Sequence, residues 1–75
     1  MEKKLSDMKY GEKGVVKSIE EKLRKQVAGM GIRINKKITM ATKQPIKGPV
    51  VVTVDESTIS LGLGIANKII VEVKR

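Results

Sequence analysis

Apolar and polar positions change their period along this chain, and the changes mark its elements. In the lead-in LSDMKYGEKG, Leu5, Met8 and Tyr10 sit among polar neighbours, and Gly11 and Gly14 break any helix before it grows. A turn or brief 3₁₀ segment is expected there. From Val15 the pattern alternates, with Val15, Lys17 and Ile19 on one side and Val16 and Ser18 on the other, which predicts a first strand of about four to six residues. Ser18-Ile19-Glu20-Glu21 then has the spacing of a capping box, so a helix is expected to begin at that point. Leu23, Val27 and Met30 follow at i, i+4 and i+7, with Lys22, Arg24, Lys25 and Gln26 in the other directions. At roughly ten residues such a helix needs tertiary packing. Its narrow apolar stripe suits the cover of a small sheet, with a membrane surface or partner helix as the alternatives.

Downstream the period is two. Residues 36–42 alternate Ile38 and Met40 against Lys37, Thr39 and Ala41, and 50–54 is a β-branched run. Residues 58–63 alternate Ile59, Leu61 and Leu63 against Ser60 and Gly62, and 69–73 place Ile69, Val71 and Val73 on one face. Pro45, Gly48 and Pro49 make KQPIKGP a wide hairpin loop, Asp55-Glu56-Ser57 a tight polar turn, and Gly64-Ile65-Ala66-Asn67 a single helical turn. Five short antiparallel strands with one helix after the first exclude a doubly wound α/β fold and predict a mainly β class, a small bent barrel whose closure would remove exposed edges.

The stretch AGMGIRIN, residues 28–35, raises the question of a phosphate cradle. Its glycines close a helix, whereas phosphate-binding glycines open one after a strand, so the cradle is excluded. Gly31, or else Gly29, is expected in the left-handed conformation that ends a helix, with Ile32 folding back as the apolar contact. Asn35 is expected as a second turn residue with positive φ.

Composition limits the chemistry. There are 75 residues, no cysteine, histidine, tryptophan or phenylalanine, and one tyrosine, so aliphatic packing must hold a small core without disulfides or a Cys/His metal site. No stretch reaches the ~20 apolar residues of a membrane span, and the N-terminus lacks a secretory signal, so a cytosolic chain is expected. Sixteen Lys and Arg against eight Asp and Glu give a net charge of +8, which attracts acidic proteins, nucleic acid or an anionic membrane, or simply keeps the domain soluble. Glu20 and Glu21 diverge on a helix, and Asp55 and Glu56 lie in a turn with no third carboxylate nearby in sequence; no catalytic, cofactor or metal site is expected. Nucleic acid is disfavoured because single-strand binders need aromatic stacking platforms, and Tyr10 stands alone. Duplex binding would need Lys22, Lys25, Arg33, Lys36, Lys37, Lys43 and Lys47 to converge on one basic face.

The series Leu5-x-x-Met8-x-x-Gly11, Val15-x-x-x-Ile19, Val27-x-x-Met30-Gly31-Ile32, Pro45-x-x-Gly48-Pro49-Val50 and Leu61 to Val71 resembles the ferrous iron transport protein A (FeoA) family over nearly the whole chain. AGMGI and QPIKGPVVV carry the most specific parts of the likeness. Where the family often has Pro-Gly, this chain has Ile34-Asn35, and two frequent family arginines are replaced by Gln26 and Gly62. The resemblance implies a single SH3-like domain over residues 1–75. It also implies a cytosolic accessory that binds the cytoplasmic part of the FeoB membrane GTPase transporter; it does not imply iron binding by this chain, and the missing nitrogen and sulfur ligands argue against it. Exposed apolar loop residues mark contacts, so the expected partner surface is Met30, Gly31 and Ile32 with Pro45, Ile46, Gly48 and Pro49; the competing reading puts Met30 and Ile32 in the core. A basic SH3-like module of the nucleic-acid-binding or iron-regulator kind is the alternative, and a weak homo-oligomer through edge strands is compatible with either.

Overall fold

The computed structural model describes residues 1–43 and 48–74. The expected loop residues Pro45, Ile46 and Lys47 lie outside them. Six strands, β1 (Glu2–Lys4), β2 (Lys13–Ile19), β3 (Lys37–Lys43), β4 (Val50–Val54), β5 (Ser57–Leu61) and β6 (Ile69–Val73), form one sheet in the order β1-β6-β2-β3-β4-β5. Every pairing is antiparallel. A helical stretch between β2 and β3 starts as a 3₁₀ turn, Glu21–Leu23, and continues as α1, Arg24–Ala28; one further turn, α2, Leu63–Ala66, links β5 to β6.

The sheet has one strand more than the alternation predicts. β1 has no apolar alternation at all, and it exists because β6 offers its free backbone edge to Glu2, Lys3 and Lys4. The 3₁₀ turn Leu5–Asp7 follows as expected, with Leu5 and Met8 fully buried. Hydrogen bonding does not close the barrel among the described residues, since β1 and β5 remain its edges.

Two expected boundaries and one face assignment also shift. The capping box does not form: Ser18 pairs with Ile70 and Ile19 with Ile69, so strand pairing holds the backbone extended. The 3₁₀ turn starts at Glu21, after an N-cap, Glu20, that makes no side-chain capping bond. Leu63 begins α2 rather than ending β5, because Gly62 already leaves the strand. In β2 the register slips between Val16 and Ser18, a bulge at Lys17, and this brings Val16 and Ile19 into the core together despite their odd spacing.

The core is aliphatic. Val50, Val52 and Val54 of β4 and Ile69, Val71 and Val73 of β6 alternate inward as their spacing predicts, and they meet Ile38, Met40, Val27, Ile32, Leu5 and Met8. Leu23 and Met30, half-buried, pack against this cluster, so the helical stripe covers the sheet. Gly14 is required where β2 and β6 approach closely: a Cβ there would lie 2.8 Å from the Glu72 carbonyl oxygen and 3.0 Å from Val73 Cγ1.

Candidate functional site

The end of α1 shapes one of the recesses in the surface. Gly31 has φ 90° while Gly29 stays helical at −62°, so Gly31 is the residue that turns left-handed. Its N–H donates to the Ala28 carbonyl, and the Ile32 N–H donates to the Val27 carbonyl, both at 3.0 Å. These bonds satisfy the last open carbonyls of the helix and drive Ile32 into the core. A second reversal follows at once. Lys36 donates its N–H to the Arg33 carbonyl at 3.1 Å, with Asn35 at φ 76° in the position of a β-turn that needs a positive φ. The Asn35 N–H to Val16 carbonyl and Val16 N–H to Lys36 carbonyl bonds, 2.8 and 2.9 Å, fasten this turn to β2.

Between the helix, the two turns and the end of β2 lies an open groove of about 420 Å³, lined by Ile19, Arg24, Lys25, Ala28, Ile32, Arg33 and Ile34. Its floor is aliphatic and its rim carries three cations and no carboxylate. The ion pairs of the described residues use other cations: the N-terminus with Glu72, Lys3 with Glu12, Lys36 with Asp55 and Lys68 with Glu20. Arg24, Lys25 and Arg33 thus face solvent without a counter-charge among the described residues. An uncompensated cationic rim over an apolar floor can accept a segment that presents carboxylates beside aliphatic side chains. A second recess, about 710 Å³ between β2, β3 and β6, mixes Lys13, Lys37 and Lys74 with Glu12 and Glu72 and has no such charge bias.

The expected contact residues therefore fare unequally. Ile32 is fully buried and leaves no side-chain surface for a partner. Met30 is half-buried against the core, Gly31 sits at the turn, Gly48 is half-buried and Pro49 exposed, while Pro45 and Ile46 lie outside the described residues. Of the seven cations expected on one face, only Lys25 and Arg33 line the groove. Lys37 belongs to the second recess, Lys36 is engaged with Asp55 at 2.5 Å, Lys22 is exposed on the 3₁₀ turn, and Lys47 and the side chain of Lys43 lie outside the description. Arg24 and Ile34 were not anticipated. Arg24 precedes Lys25 on the same helix, and Ile34 repeats the spacing of Ile32 about Arg33, a signal that could have found them. Among the described residues no three His, Cys, Asp or Glu side chains gather as a metal site.

Fold and groove together define a small SH3-like β-module with a basic, apolar-floored groove. The chain belongs to the FeoA domain family, whose model matches residues 3–73. Among solved structures it is similar to an iron uptake regulatory protein (FeoA), with 28% identity, TM-score 0.89 and 99% of each chain covered. It is likewise similar to a FeoA-like protein from Clostridium acetobutylicum, with 28% identity and TM-score 0.85 over 99% of this chain and 88% of the other. A manganese-dependent transcriptional repressor shares the fold alone, at 22% identity and TM-score 0.88, this chain covering 42% of it. No curated protein matches in sequence. Family membership places the chain with the small accessories of ferrous iron transport.

Proposed function

We propose that this protein is a single-domain cytoplasmic accessory that docks on the cytoplasmic face of a FeoB-type membrane GTPase transporter and modulates its cycle. The observation that carries the reading is the groove at the end of α1: Arg24, Lys25 and Arg33, which form no ion pair among the described residues, surround Ile19, Ala28 and Ile34. Docking there brings carboxylates of the transporter to the rim and an aliphatic side chain to the floor. Rim charges chiefly speed and orient encounter, so the association weakens as salt rises.

The test titrates the purified protein against the soluble GTPase domain of the transporter and, separately, against mixed DNA and RNA near physiological salt. The expected result is saturable binding to the GTPase domain, weakened at least about tenfold when Arg24→Glu and Arg33→Glu are combined. Tight nucleic-acid binding with a steep salt dependence, and none to the transporter domain, would overturn the proposal in favour of a nucleic-acid module.

A further inference from the structure

The two edges of the sheet have opposite character. β1 is three residues long, and all three, Glu2, Lys3 and Lys4, are charged. β5 is five residues long, Ser57 to Leu61, and none is charged. Short charged edges keep sheets from pairing with other chains, and β5 lacks that protection. Nor does it carry a proline, a glycine or a bulge: its register with β4 runs unbroken from Val54↔Ser57 to Val50↔Leu61.

Hairpin geometry fixes which backbone groups of β5 are free. Asp55 and Glu56 are the two loop residues, both with positive φ, as a type I′ turn requires. In such a hairpin the flanking pair, Val54 and Ser57, exchanges both backbone bonds, and bonded pairs then alternate through Val52–Ile59 and Val50–Leu61. Thr58 and Ser60 consequently turn their N–H and C=O groups away from β4. Their side chains are exposed, and neither makes a backbone bond to another described segment.

We propose that β5 is a self-association edge at which two copies of this chain pair antiparallel about a two-fold axis through Ile59. In this register Thr58 of each copy faces Ser60 of the other, and the two facing pairs exchange about four N–H···O=C bonds between them. The half-buried Ile59, packed on the core, meets its own symmetry mate and extends the core across the junction. On the opposite face the neighbours are hydroxyls, Thr58 beside Ser60. Beyond the strand ends the turn residues Asp55 and Glu56 of one copy lie toward the uncharged Gly62 and Leu63 of the other, so no like charges meet. The strand is thus its own complement, as an isologous contact requires. A charged partner strand would find nothing on β5 to answer its charges, which favours a second copy.

The interface is small and each copy carries +8, so the copies repel and the dimer is weak and transient. Salt screens that repulsion. Dimerisation therefore strengthens with ionic strength, opposite in sign to docking at the groove, and it stands or falls independently of the transporter reading.

The test follows amide exchange and sedimentation of the full chain at low and at about millimolar concentration, in low and high salt. The Thr58 and Ser60 amides are expected to exchange freely when dilute and to become protected as the chain is concentrated, while the Ile59 amide is protected throughout; sedimentation moves toward the dimer as salt rises. Thr58→Pro removes one outward donor per copy without touching the β4 ladder and is expected to lower the association constant about tenfold or more. Combined Thr58→Lys and Ser60→Lys, at two exposed positions, set like charges opposite each other and are expected to give a folded monomer. The proposal is overturned by free exchange of Thr58 and Ser60 at the highest concentration and salt, by concentration-dependent protection at a different segment, or by a lysine variant that dimerises like the parent.

Discussion

The Ile32 amide donates to the Val27 carbonyl at 3.0 Å, five residues back along the chain, and this bond sets both the end of α1 and the floor of the groove. It can form only because Gly31, between them, takes φ 90°. The bond thus couples backbone conformation to the shape of the candidate site.

Gly31→Ala should therefore destabilise the protein by about 1–2 kcal/mol through backbone strain alone, since no atom lies within 4 Å of the added Cβ. Gly64, inside α2 and equally uncrowded, has no positive φ. Gly64→Ala should stabilise by about 0.5–1 kcal/mol. Thermal melts of the two variants, moving in opposite directions from the parent, check the assignment; equal shifts would contradict it.

Gly14→Ala fails for a different reason. Its Cβ would press on the Glu72 backbone at 2.8 Å, and a strand backbone cannot swing aside as a flexible side chain can. A loss of about 1–3 kcal/mol is expected. Faster amide exchange along the β2–β6 ladder than along β4–β5 would localise the damage.

At the β4–β5 turn, Asp55 and Glu56 hold φ 48° and 70°, conformations that non-glycine residues adopt at a cost. Asp55 also pairs with Lys36, whereas Glu56 is exposed and has no ion pair among the described residues. Glu56→Gly should raise stability by about 0.5–1 kcal/mol, with a melting increase of about 2–8 °C.

Glu12 is the ionisable group through which acid should act on stability. The Lys9 backbone N–H donates to its carboxylate at 2.9 Å and Lys3 Nζ approaches at 3.1 Å, and these contacts, the backbone bond foremost, hold its pKa below the ordinary carboxylate range. A lowered folded pKa means that the charged form is the one the fold stabilises. That contribution is complete above the unfolded glutamate value of about 4.3 and is lost as pH falls through the depressed folded value. The stability of the parent relative to Glu12→Gln should accordingly be constant at neutral pH and shrink in acid. An advantage that does not change with pH would rule this linkage out.

Much of the architecture was legible because its signals are local. The alternation of Val50 to Val54 and Ile69 to Val73 marks strands whose observed bounds coincide with the periodic runs. The left-handed residues Gly31 and Asn35 were legible too, since the chemistry of a helix stop and a tight turn narrows the choice to a few residue types. The groove was only half legible. Lys25 and Arg33 stand out as cations, yet nothing in their spacing separates them from Lys37 or Lys36, which the fold sends to the second recess and to Asp55.

By itself the sequence determined a cysteine-free, aliphatic, mainly β chain of strong positive charge, with its helix stop at Gly31 and its tight turn at Asp55 and Glu56 in place, because each of these depends on composition or on neighbours within a few residues. The tertiary structure alone decided the rest. β1 is polar throughout and becomes a strand only against β6. The failed cap at Ser18 and the bulge at Lys17 follow from pairing with residues about fifty positions away. The three cations of the groove come together only once α1 and the turn at Asn35 are fastened to β2. Long-range backbone pairing, whose partners no local pattern specifies, separates what could be read along the chain from what had to be folded.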